Sequence, residues 1–409
     1  FALQGIVAHF SHANALGVFA IITSTYIIGQ GITRSCTSDC MLTRHETDDA
    51  AMRPYEQGGY LSAFIVSCGV AALIALSTLL LHHQFMGPML VLAIFLPVGA
   101  LQDYARYIGL SRHDPGYSVR LDAAWLFLFL AAFAVEKHYH HQSLTWLVGA
   151  WISTGALVGL WTIHQHLTTK GVRPLLRFWV KSEGSIGWKF AGQFLLSQGW
   201  PYFIFFLLAF VLSVGDIGIF KLGQLAMGPL SVASVGLQSA MIAMTAKRFP
   251  YEPMKTLRFI FYMATGTAAV TAAWMFLVYY LPVHVMTTVL GPTWPQARHI
   301  VIYCGLMYII ASWTGAGAAG LRGLRAAKEN LWLAIVMLPF LLVPAIIGAK
   351  IDGLVGACIG AVISNVFNAV FTWVVLIWAA RRVEVQEEPP GPPDEIQMLE
   401  PTIVLPPSV

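Results

Sequence analysis

Asp216-Ile217-Gly218-Ile219-Phe220-Lys221-Leu222-Gly223-Gln224-Leu225-Ala226, followed by Gly228-Pro229, opens an apolar run that continues to about residue 244. A run of this length can cross a bilayer as a helix, which needs about 20 residues. Its opening, Ile217-Gly218-Ile219-Phe220, has a counterpart 201 residues earlier in Leu16-Gly17-Val18-Phe19, where another apolar run begins. Gly-aliphatic-Phe arises easily by chance in apolar sequence. The match gains weight because both copies stand at equivalent places in a pattern of spans.

Composition sets that pattern in context. Of 409 residues only 11% are charged while 57% are hydrophobic, against about 25% charged in an ordinary soluble protein. A water-soluble surface cannot be built from that remainder. Soluble enzymes, nucleic-acid modules and secreted disulfide scaffolds are excluded in favour of an all-α, polytopic integral membrane protein. Cys36, Cys40, Cys68, Cys304 and Cys358 are odd in number and scattered, and three lie in apolar segments, so they do not form a disulfide framework. Cys36 and Cys40 with His45 are too sparse for a metal set. No cofactor motif occurs.

Apolar windows punctuated by charge, Gly and Pro give full spans near 14–33, 59–82, 86–110, 119–136, 143–166, 186–212, 217–244, 257–281, 297–321, 328–350 and 353–380. The run Phe1 to Ala8 is too short to cross and reads as an incomplete first span or an interfacial start, not as a signal peptide. Counting it gives twelve spans. Twenty of the 24 Lys and Arg residues then fall in the loops after spans 2, 4, 6, 8 and 10 and at the end of span 12, whereas the opposite loops hold Lys137, Arg298 and Lys350. This asymmetry places the basic loops and both termini in the cytoplasm of a multi-pass protein of the cytoplasmic (plasma) membrane. Six spans per half leave both halves in one orientation, so the repeat is parallel. The expected organisation is a six-span lobe over 1–185, a second over 186–382, and a disordered acidic, Pro-rich cytoplasmic tail over 383–409.

The stretch Asp216–Ala226 with Gly228-Pro229 resembles the start of the second half in Wzx-type polysaccharide flippases of the multidrug/oligosaccharidyl-lipid/polysaccharide (MOP) exporter superfamily. Leu290-Gly291-Pro292-Thr293-Trp294-Pro295-Gln296-Ala297 is similar to that family's extracytoplasmic Gly-x-x-Trp turn. The resemblance implies a V-shaped pair of six-helix lobes that move polyprenyl-diphosphate-linked saccharides between leaflets by alternating access. It also implies membrane lipids and glycan polymerase or assembly proteins as partners. The incomplete first span is a departure, because that helix helps line the family's cavity.

Polar side chains inside a membrane are costly and tend to face a bundle interior or a wet cavity. Span 8 carries Lys221, Gln224, Gly228, Ser231, Val235 and Gln238 at three- and four-residue spacing, hence on one face. The 201-residue offset pairs Gln224 with Thr23, Ser231 with Gln30 and Gln238 with Thr37. Matching stripes on repeat-related helices are expected if both line one cavity; the alternative is hydrogen-bonded packing between helices. Lys221 either snorkels outward or meets an anionic diphosphate. Arg34 and Lys189, at the cytoplasmic ends of their spans, either assist at the mouth or are ordinary anchoring cations. Span 7 carries Lys189, Gln193, Ser197 and Trp200 on one face, with Pro201 able to kink it. Asn365 and Asn368 read as packing groups, and Asp103 and Arg106, at i,i+3, as a mutually neutralising pair.

Absences weigh on the alternatives. No acidic residue lies near the middle of a full span, which counts against an ion-coupled drug or small-molecule antiporter of the same superfamily. The histidines of 82–83, 138–141 and 164–166 fall on opposite membrane faces. Together with the short loops, this counts against a membrane-embedded enzyme of glycan assembly.

Overall fold

The computed structural model describes residues 2–10, 12–42, 49–80, 83–112, 114–138, 143–166, 172–249, 251–324 and 326–383. Among them no strand occurs, and the helices are α1 (Ala2–Phe10), α2 (Ala13–Cys36), α3 (Ser38–Leu42), α4 (Asp49–Ser77), α5 (His83–Ser111), α6 (Pro115–His138), α7 (Leu144–His166), α8 (Val172–Phe194), α9 (Trp200–Leu208), α10 (Val214–Ala226), α11 (Gly228–Arg248), α12 (Pro253–Tyr280), α13 (Val283–Leu290), α14 (Trp294–Ala297), α15 (Val301–Gly323) and α16 (Ala327–Ala380). The tail beyond 383 lies outside the described residues.

This is the all-α membrane architecture that composition required. Among the described residues, eight helical stretches are long and apolar enough to cross a membrane, carried by α2–α3, α4, α5, α6, α7, α12, α14–α15 and α16. The long helix reverses at Asp352 and Gly353, where Gly353 takes a φ of 53°, a left-handed conformation that only glycine adopts readily. Its two arms then close tightly, because a Cβ on Gly348 would overlap the Gly356 carbonyl oxygen and one on Gly356 would overlap that of Gly348.

Two spans differ from the simple helices expected. The crossing predicted to begin at 186 starts at Val172, and its regular turns give way to a π-helical segment at Leu195–Gly199 just before Pro201. A proline removes one backbone donor and crowds the preceding turn, and the extra residue of the π segment absorbs the mismatch. The predicted single helix over 217–244 is broken at Met227 ahead of Gly228-Pro229. The Ala226 carbonyl accepts from Trp274 Nε1 at 3.0 Å, so a carbonyl next to the break keeps a partner.

The quoted repeat proves to be the join between the halves. Helices α2 and α10 cross where they begin. A Cβ on Gly17 would overlap the Val214 carbonyl oxygen, and one on Gly218 would overlap the Ala13 carbonyl oxygen. The two repeat-related glycines therefore each admit the backbone of the opposite helix, the small-residue contact that lets membrane helices approach closely. Flanking Leu16, Phe19, Ile217 and Phe220 are all fully buried in a core that draws on both halves. Toward the basic ends of the helices this shared core divides. One separate cluster, around Met41, Tyr60, Tyr104 and Trp179, belongs to α3–α8; the other, around Met241, Ile260, Leu321 and Leu376, belongs to α11–α16. One core at one end and two at the other is the packing of a V.

The Gly291–Trp294 turn anchors α1. Gly291 has a φ of 85°, a Cβ there would overlap the Ala8 carbonyl oxygen, and Trp294 is fully buried. The α2/α10 crossing makes a direct prediction. Gly218→Val should destabilise the protein by roughly 1–3 kcal/mol or more, the cost of overpacking. Gly5→Ala, where a Cβ meets nothing within 4 Å, should leave the thermal midpoint of purified protein unchanged.

Candidate functional site

Where the halves diverge, a cavity of about 440 Å³ lies between α1, α2, α9, α10, α15 and α16. Its position follows from how α10 starts. Ser213 caps the helix by accepting from the Asp216 amide at 3.1 Å, while Asp216 Oδ2 accepts from the Ser213 amide at 3.3 Å. This reciprocal cap sets the helical register. Gly215, Ile217, Gly218, Phe220, Leu222 and Gly223 are then buried around the helix, with Gly218 against α2 and Gly223 against Ile300 and Cys304. Lys221 and Gln224, three residues apart, face the cavity beside Tyr202, Tyr308 and Asn365.

Lys221 Nζ lies 5.4 Å from the Phe205 ring centroid, and no carboxylate is among the described residues that line this cavity. A cation over an aromatic face is attracted by the ring quadrupole, but that does not supply the negative partner that a desolvated ammonium favours. The cavity therefore presents one fixed positive charge with polar neighbours able to donate and accept.

A second cavity of about 680 Å³ adjoins it in the N-terminal half, and Gln4 and Ile27 line both. Its walls include Thr23, Tyr26, Trp125 and Trp151, with Arg106 and Asp122 at one side. Trp125 and Trp151 stack with centroids 5.9 Å apart and an interplanar angle of 21°, and Tyr26 meets the Trp151 ring edge-on at 4.5 Å. Trp125 Nε1 donates to the Trp151 carbonyl at 2.9 Å, which holds the stack in place. Thr23 lines this second cavity, but its hydroxyl donates to the Phe19 and Ala20 carbonyls. Gln30 is buried on the same helix, donating through Nε2 to the Tyr26 hydroxyl at 3.2 Å, and its Oε1 has no partner.

The structure alters several of the assignments read from the sequence. Arg34 is not a free cation at a mouth: it makes a two-pronged ion pair with Asp103, Nη2 to Oδ1 at 2.8 Å and Nε to Oδ2 at 3.1 Å. The Asp103–Arg106 pair is present at 3.2 Å but belongs to a larger chain, since Arg106 also reaches Asp122 at 3.1 Å. Two arginines and two aspartates thus neutralise one another across α2, α5 and α6. Gln238 packs on α15, where a Cβ on Gly315 would overlap its amide group, so the stripe on span 8 does not stay on one surface beyond the break at Met227. Lys189 is exposed on α8 and lines neither cavity. The side chains of Gln193 and Ser231 lie outside the described set. Asn365, read from sequence as packing, lines the central cavity while its Nδ2 donates to the Ala361 carbonyl at 2.8 Å. Tyr26, Tyr202, Tyr308, Trp125 and Trp151 were missed because aromatic residues inside apolar spans carry no sequence signal that separates core from cavity wall.

With this geometry, the chain can be set beside solved structures. No protein-family model matches it, and no curated protein matches it in sequence. Its three-dimensional match is close. A multidrug-resistance MATE transporter of the MOP superfamily in its inward-facing conformation superposes with a TM-score of 0.70 over 93% of each chain, at 14% identity. The fold is that of the MOP exporters. The lipid II flippase MurJ in an inward closed conformation gives 0.69, at 12% identity, covering 93% of this chain and 84% of that one. The outward-facing conformation of a MATE family transporter gives 0.56, at 14% identity, over 90% and 87%.

The ion-pair chain yields a second prediction. Asp103→Ala should destabilise the protein by about 1–3 kcal/mol, because it removes a buried carboxylate that accepts charge-assisted hydrogen bonds from two partly exposed arginines. Adding Arg34→Ala should recover part of that loss in a double-mutant cycle of thermal or denaturant unfolding. Additive losses would show that the pair is not coupled.

Proposed function

We propose that this protein is a Wzx-like flippase that moves a polyprenyl-diphosphate-linked oligosaccharide across the cytoplasmic membrane by alternating access. The observation that carries the reading is Lys221, a cation at the junction of the two halves in a cavity with no carboxylate among its described lining residues. A diphosphate is the complementary group: its oxygens accept charge-assisted hydrogen bonds from an ammonium, and Gln224, Tyr202 and Asn365 can add neutral ones. The adjoining cavity suits a saccharide. The flat indole faces of Trp125 and Trp151 can pack against the C–H faces of sugar rings, and Arg106 and Asp122 offer donors and acceptors for hydroxyls.

In this reading the basic ends of the helices face the cytoplasm, as does the open side of the V. The lipid-linked sugar enters there, its diphosphate pairs with Lys221, and the α2/α10 crossing holds the outer side closed. Release requires that crossing to part while the two basic-end clusters approach, a rocking of parallel repeats about a central site. The α8 helix packs on α2 and α4, so it would travel with the N-terminal half up to the π segment at Leu195–Gly199, and the bend before Pro201 would serve as the hinge to α9. Glycan polymerase or assembly proteins would act on the delivered product.

An ion-coupled antiporter of the same superfamily is the competing reading, favoured by the likeness to MATE transporters. Against it, Asp103 and Asp122 are already committed to arginines, so a coupling cation would have to displace an ion pair. Reconstituted vesicles distinguish the two. Lys221→Ala should slow translocation of a fluorescent polyprenyl-diphosphate saccharide by roughly tenfold to a hundredfold, the equivalent of one charge-assisted hydrogen bond. Lys221→Arg should retain most of the activity. An unchanged rate for Lys221→Ala would remove the proposed role of this residue, and dye efflux driven by an ion gradient would favour the antiporter.

A further inference from the structure

A third cavity, of about 630 Å³, lies apart from the other two between α5, α6 and α7, and shares no lining residue with either. Its lining is apolar except for Thr145, Ser153 and one carboxylate, Glu136, in the last turn of α6. Both carboxyl oxygens of Glu136 are shielded from solvent and have no hydrogen-bond partner among the described residues. No basic residue among the described ones lines the cavity. The position compounds the problem, because a helix C-terminus already carries partial negative charge and disfavours an anion. In its ionised form this carboxylate has no counter-charge among the described residues lining the cavity, which makes the site complementary to a cationic ligand.

The mouth indicates where that cation comes from. Val135 and Trp146 line the cavity yet remain 58% and 62% exposed. In a membrane-spanning bundle, exposed apolar side chains of this kind face lipid, and tryptophan favours the headgroup level. The ligand therefore has an apolar body in the bilayer and a cationic end in the cavity. Two unpartnered acceptor oxygens require N–H donors, which a primary ammonium supplies and a trimethylammonium lacks. An anionic headgroup would be repelled.

We propose that this cavity is a binding site for a phospholipid whose headgroup ends in a primary amine, with the ammonium held by Glu136 and the acyl chains leaving past Val135 and Trp146. The site is separate from the central cavity and independent of what the central cavity transports.

Native mass spectrometry of the full chain, released from mixed micelles holding equal amounts of phosphatidylethanolamine, its N-methylated forms and phosphatidylcholine with identical acyl chains, tests this. The expected result is one phosphatidylethanolamine retained at least about tenfold over phosphatidylcholine, with retention falling as methyl groups are added. Glu136→Gln should bring phosphatidylethanolamine down to the phosphatidylcholine level without shifting the thermal midpoint. Equal retention of the headgroup series by the wild-type protein would overturn the proposal, and that comparison needs no variant to fold. So would full phosphatidylethanolamine retention in Glu136→Gln. Displacement of the lipid by chain-free glycerophosphoethanolamine would show a soluble-amine site instead, and would also overturn it.

Discussion

The crossing of α2 and α10 is the constraint on which the rest of the molecule depends. Gly17 and Gly218 each lie against a backbone carbonyl of the opposite helix, Val214 and Ala13 respectively. Only the absence of a Cβ on both sides permits the approach. Lipid supplies no hydrophobic drive for helices to associate, so close backbone packing of small residues takes its place. Because the two glycines are copies of one repeat, the contact is reciprocal, and it joins the halves near one end of their length. Everything beyond it can splay, and the clusters at the basic ends are accordingly separate. The central cavity occupies the space this leaves, seven residues along α10 from its first turn, or about 10 Å at 1.5 Å per residue.

Charge inside this bundle is handled in two ways. The four-membered chain of Arg34, Asp103, Arg106 and Asp122 is internally neutral and spans three helices of one half. Such a chain loses hydration but regains paired, charge-assisted hydrogen bonds, so breaking it costs more than forming it gains. Lys221 and Glu136 are treated differently. Each stands in a cavity whose described lining residues offer no opposite charge, and they lie in different halves of the chain. These are the two groups on which the proposed diphosphate and ammonium ligands rest.

Much of the architecture was legible in the chain because bilayer thickness imposes a length on apolar runs. The reversal at Asp352–Gly353 fell between the predicted spans 328–350 and 353–380, since Gly at a charged interruption marks a turn. Lys221 was legible for the same reason that it matters: a solitary cation in an apolar run stands out. Partner choice was not legible. Arg34 and Asp103 lie 69 positions apart, and nothing local distinguishes a paired arginine from an anchoring one at a helix end. The 3.6-residue stripe on span 8 failed past Met227, because Gly228-Pro229 restarts the helix and rotates Gln238 onto α15. Asn365, read as a packing group, is buried and bonded within its helix, and it also borders the central cavity. Which face of an apolar helix borders a void depends on its neighbours, and a single helix does not encode that.

In the proposed cycle the α2/α10 crossing closes one side of the cavity and opens for transport. Asn14 and Gly215 sit across that crossing, where a Cβ on Gly215 would lie 2.8 Å from Asn14 Oδ1. An Asn14→Cys and Gly215→Cys pair, oxidised to a disulfide in proteoliposomes, ties the two helices together at that point. The account predicts that oxidation stops translocation of the lipid-linked diphosphate saccharide and that reduction restores it. Translocation at the reduced rate while the disulfide is fully formed would contradict it.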